Sequence, residues 1–121
     1  MNMNRLLISV IFISGIILAC NITDRQKDIS FSIRTDDRSI AEGKSIFESK
    51  CGFCHSTNST EMITGPGLLG VLKRSKLPAS RKPATPENIK LQFKTPYRSM
   101  PSFAYLSEDE MQYILAYLYT L

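Results

Sequence analysis

Cys51-Gly52-Phe53-Cys54-His55 lies near the middle of a 121-residue chain, and its reading decides how the rest is understood. Cysteines at i and i+3 of a helical turn share one side, where two thiols can meet two vinyl groups of one tetrapyrrole. The next residue, His55, then projects toward the porphyrin face and can place an imidazole nitrogen on iron. This spacing is the signature of covalent haem attachment, with Cys51 and Cys54 as the attachment points and His55 as an iron ligand. A structural zinc site needs four nitrogen or sulfur ligands, and beyond the pentapeptide only Cys20 remains. A thioredoxin-like dithiol needs alternating strands and helices, a pattern this chain does not show. Two merely structural cysteines would leave a small core without support.

The third cysteine belongs to a different feature. Arg5 is followed by an apolar run from Leu6 to Ala19, and then by Cys20. As a helix that run would be about 21 Å long, short of the roughly 30 Å hydrocarbon core of a bilayer. A basic start, a short apolar middle and a small residue before the break read as an export signal. Ile17-Leu18-Ala19-Cys20 resembles the lipobox of bacterial lipoproteins, in which the signal is cleaved before an acylated cysteine. The expectation is a signal peptide over residues 1–19 and a lipid on Cys20, anchoring the chain on the periplasmic side of a bacterial membrane. An uncleaved anchor or a simple signal peptide is the alternative. Residues 20–39, polar and without a sustained apolar period, read as a tether, leaving 40–121 as one folded domain. Export agrees with the haem reading, because bacteria attach haem covalently outside the cytoplasmic membrane.

Composition limits the rest. The hydrophobic fraction is 43%, that of a globular domain, and 15 Lys plus Arg against 11 Asp plus Glu give a net charge of +4. The excess is concentrated: from Lys73 to Arg98, Glu87 is the single anion among eight cations. No nucleic-acid motif accompanies this patch. It is therefore a candidate for steering acidic protein partners.

Helices are legible on both sides of the pentapeptide. Ile40, Ile46 and Phe47 suggest a short amphipathic helix over residues 40–50, with Ser39 as N-cap and Glu42 completing a capping box. Thr85-Pro86-Glu87 starts another helix, threonine as cap and proline at the first position, ending near Lys94 before Pro96. At the C-terminus, Ser107-Glu108-Asp109-Glu110 is a capping box. Met111, Ile114, Leu115 and Leu118 follow it as one apolar stripe.

A simple electron carrier needs a sixth ligand on its iron, and His55 is the only histidine. Met62 follows His55 too closely to wrap easily to the opposite face, and Met111 sits on the helix stripe. Met100 precedes Pro101, which keeps it out of a helix, and lies far enough along the chain to encircle a haem. It is the favoured second ligand, against a loop methionine that merely fills a gap.

Over residues 40–121 the chain resembles the class I cytochromes c, in a compact bacterial form. Gly43-Lys44-Ser45-Ile46-Phe47 is similar to their N-terminal helix, and Tyr113-Ile114-Leu115-Ala116-Tyr117-Leu118 to their C-terminal helix. The resemblance implies that Gly43 and Phe47 cross Ile114 and Tyr117. Ser99-Met100-Pro101 is similar to the family's methionine-ligand loop. Thr64-Gly65-Pro66-Gly67-Leu68 is similar to the loop whose proline carbonyl accepts from the ligand histidine, which implies that role for Pro66 and haem packing for Leu68. Arg74 aligns with an arginine near a haem propionate. The stretch between Lys76 and Met100 is shorter than in mitochondrial members, and tryptophan is absent. The implied fold is all-α, three or four short helices around one haem c. The implied function is that of a monomeric, non-enzymatic carrier passing single electrons between membrane-associated redox proteins with acidic docking surfaces. Two alternatives remain open, a subunit of a larger redox complex and a haem peroxidase or gas sensor with a labile sixth ligand.

Overall fold

The computed structural model describes residues 32–121. The apolar run, Cys20 and most of the expected tether lie outside the described residues. Three α-helices carry the fold: α1 (Asp37–Lys50), α2 (Pro86–Lys94) and α3 (Glu108–Thr120), with a single 3-10 turn over Val71–Lys73. The architecture is all-α. An isolated antiparallel bridge between Lys76 and Pro83 is the only β feature among the described residues.

α1 starts at Asp37, three residues before the expected start. The cap is Asp36, whose carboxylate accepts from the Ser39 backbone N–H at 2.9 Å. That bond holds the Asp36 carboxyl below its ordinary range. Ser39, expected as the cap, is instead buried inside the helix. An apolar period cannot register a polar first turn, which is why residues 37–39 were not legible as helix. Ahead of the helix, Arg34 pairs with Asp109 and lies over the Tyr113 ring, 5.0 Å from its centroid, joining the chain to the start of α3.

The buried residues of α1 are Ser39, Gly43 and Phe47, spaced by one helical turn along the face that meets α3. A Cβ on Gly43 would fall 1.8 Å from the Tyr113 carbonyl oxygen, so the two backbones touch there. Glycine in a helix interior costs about 1 kcal/mol relative to alanine, and this close approach explains its presence. One turn later the Phe47 and Tyr117 rings meet at 5.5 Å, tilted by 60°.

The α3 stripe is buried throughout: Met111, Ile114, Leu115 and Leu118 are each at most 3% exposed, and Ala116 joins them. Full burial of each large side chain contributes roughly 1.5–3 kcal/mol. Ser107 and Glu110 form the reciprocal capping box. α2 begins behind Thr85, whose hydroxyl accepts from the Asn88 N–H, and it buries Ile89 and Phe93 at i and i+4. Between α1 and α2 lie turns and loops in which the 3-10 turn packs against α3, and residues of this segment line an apolar cleft.

Candidate cofactor site

The last turn of α1 aims the pentapeptide. The Cys51 and Gly52 N–H groups donate to the Phe47 carbonyl, and those of Cys54 and His55 donate to the Cys51 carbonyl at 3.0 Å. A hydrogen-bonded turn over residues 51–54 thus follows Lys50, and both thiols and the imidazole line the outer lobe of the cleft. Phe53, between the cysteines, points out and is 83% exposed. Burial pushes the Cys51 thiol up to about 11, so as a free side chain it is held protonated.

His55 is oriented from behind. Its Nδ1 donates to the Pro66 carbonyl oxygen at 2.8 Å, which leaves Nε2 as the nitrogen with a free lone pair. Gly65 permits this approach, because a Cβ there would sit 2.6 Å from His55 Cε1. The loop itself is tied down by Gly65 N–H to Cys54 O at 2.7 Å and Leu68 N–H to Ser56 O at 2.7 Å.

The cleft has two lobes that share part of their lining and open to solvent. Cys51, His55, Pro66, Gln92 and Met100 line both lobes, and Cys54 lines the outer one. The inner walls are apolar, with Leu68, Val71, Leu77 and Phe93 among them. Two thiols and one imidazole nitrogen at the lip of an apolar slot, with a thioether in the same slot, suit a flat tetrapyrrole with an iron centre. A hydrated cation would find few oxygen donors there, and among the described residues no cluster of three His, Cys, Asp or Glu exists to hold a bare metal ion.

Arg74 is placed elsewhere. The 3-10 turn buries Val71 and sends the following chain outward, so the Arg74 guanidinium donates to the Leu69 carbonyl and lines neither lobe. Of the basic stretch 73–98, Arg98 is the cation at the mouth, where Lys50 joins it from α1. Lys90 is paired with Glu108. Lys50 and Gln92 went unnoticed in the sequence, since no linear pattern distinguishes a helix-end lysine or a lone glutamine. Met62 is 69% exposed at the outer lobe, and Met111 is in the core.

The spacing of Cys51 and Cys54 fits covalent haem c attachment, and the fold around it is that of the cytochrome c proteins. The chain belongs to the family described as cytochrome c oxidase, cbb3-type, subunit III, whose model matches residues 38–118. No curated protein and no solved structure matches it. The match supports a cytochrome-c-related fold for this chain. Among the described residues no helix is long and apolar enough to cross a membrane.

Proposed function

We propose that this chain is the haem c electron-transfer subunit of a larger respiratory redox complex of the cbb3-oxidase kind, held at the periplasmic face by a lipid on Cys20. The observation that carries the electron-transfer reading is the joint lining of one apolar cleft by Cys51, His55 and Met100. Family membership favours a complex subunit over the free carrier first expected.

Cys51 and Cys54 would hold a haem through thioethers, and it would supply one-electron Fe(III)/Fe(II) chemistry. The chain's own residues set its terms. His55 Nε2 would bind the iron, and the Nδ1–H bond to Pro66 fixes the ring and raises its basicity. Met100 would supply a soft thioether, which would favour the ferrous state and raise the reduction potential. With His55 and Met100 both bound to it, the iron would have no site open to substrate, and the module would pass electrons rather than transform a molecule. The inner walls of the cleft are apolar, and Lys50 and Arg98 line its outer lobe, where they would face the approach of an acidic partner.

The test is mass spectrometry and absorbance of the exported chain, followed by mild detergent extraction from its own membrane. Added mass of one haem on the Cys51–Cys54 peptide, a low-spin ferric spectrum with a methionine charge-transfer band, and co-purification with oxidase subunits are expected. A chain without the tetrapyrrole sinks the reading. Haem-loaded protein released alone would restore the free carrier.

A further inference from the structure

Met100 sits in a loop with little regular structure of its own, so something must hold its sulfur in place. Residues 97–103 contain one backbone residue in the left-handed region, Arg98 at φ 56°, a conformation unfavourable for a side chain of this kind. The Met100 N–H reaches the Tyr97 carbonyl only at 3.4 Å. The firm attachments all run to the last turn of α2. Phe103 N–H donates to the Phe93 carbonyl at 2.8 Å, and the Ser102 hydroxyl donates to the Lys94 carbonyl at 3.2 Å. Immediately before these two residues stands Gln92, with its Nε2 3.8 Å from Met100 Sδ.

Gln92 is half-buried and lines both lobes of a cleft that is otherwise mainly apolar. A carboxamide in such a wall is costly unless it finds a partner, and the thioether is the acceptor it has. A thioether sulfur has two lone pairs. With one given to a metal, the second can accept an N–H, and a donor on one side selects which of the two points inward. The same bond withdraws electron density from sulfur, which weakens its support of the ferric state.

We infer that Gln92 is a positioning residue for Met100: its amide N–H selects the sulfur lone pair offered to the haem and biases the couple toward the ferrous form. This deepens the proposed function and rests on Met100 being the sixth ligand. α2 then acts as the mount of the ligand loop, through three consecutive residues, 92 to 94.

The experiment compares full-length, haem-loaded wild type with Gln92→Leu and Gln92→Asn. The first removes the donor at similar volume, and the second keeps an amide but withdraws it by one methylene. Reduction potential and the proton NMR signal of the Met100 methyl in the ferric state are the readouts. Both variants are expected to shift the couple toward ferric by a factor of about five, since a hydrogen bond is worth about 1 kcal/mol. That factor corresponds to roughly 40 mV at about 59 mV per decade for one electron. A second methyl orientation is expected beside the first. Wild-type potential and a single orientation in both variants would overturn the inference while leaving Met100 ligation intact. Loss of the methionine charge-transfer band from wild type would overturn ligation itself, and the inference with it. Should Gln92→Leu fail to load haem, the Asn variant decides alone.

Discussion

The His55 imidazole and the Pro66 carbonyl are joined by a 2.8 Å hydrogen bond between segments that are eleven residues apart. Gly65 lies against the same ring, with no room for a methyl group. An added Cβ would push on Cε1 and Nδ1 together, so the ring cannot move aside without losing its partner. Gly65→Ala is expected to lower haem loading and to destabilise the holoprotein by about 1–3 kcal/mol. Absorbance per polypeptide and urea unfolding measure both, and unchanged values would show that the loop yields freely.

Gly43 makes the comparable contact in the scaffold. Its substitution by alanine drives a methyl group into the Tyr113 backbone, which cannot swing away as a side chain can. The expected loss is at the upper end for overpacking, about 3 kcal/mol. Leu91→Ala, at a position 45% exposed on α2, is the control and should stay within about 0.5 kcal/mol. Equal midpoints for the two variants would contradict a tight α1–α3 crossing.

Two helix caps make stability depend on acid pH. Glu110 lies below its ordinary 4.5 because the Ser107 backbone N–H, and then its hydroxyl, bond the carboxylate. Asp36 lies below 3.8 through the Ser39 N–H. A carboxylate depressed in the folded state stabilises it above the unfolded value, and that contribution is lost as pH falls through the folded value. Denaturant midpoints should therefore drop between roughly pH 5 and pH 2, and Glu110→Gln with Asp36→Asn should flatten the slope. A slope unchanged by both substitutions would place its origin elsewhere.

Charge at the mouth of the cleft should appear in rates rather than in stability. Lys50→Gln and Arg98→Gln together are expected to slow reduction by an acidic redox partner about tenfold at low salt. The difference from wild type should vanish as salt is raised beyond the screening range. Stopped-flow mixing at several ionic strengths checks this, and parallel salt curves would rule out steering by these two cations.

Much of the scaffold was legible before any coordinates. The Ser107–Glu110 box and the Thr85-Pro86 start announce their helices because capping depends on residues three or four apart. The α3 stripe announces its buried face for the same reason. The first turn of α1 was hidden, since Asp37 and Arg38 carry no apolar signal and Asp36 competes with Ser39 as a cap. Arg74 lines neither lobe and bonds the Leu69 carbonyl after the turn at Val71–Lys73, a placement that alignment with a motif does not record.

The order of residues alone determined the local chemistry: two thiols and an imidazole on one turn, the helix caps and the apolar faces, all set by neighbours within about one helical turn. Which distant groups share the cleft was decided only in three dimensions. Gln92 beside the Met100 sulfur, Lys50 beside Arg98 and the Gly43 backbone against Tyr113 result from how three helices and their loops close on one another. Hydrophobic burial drives that closure without direction, so no spacing along the chain records which polar side chains it brings together.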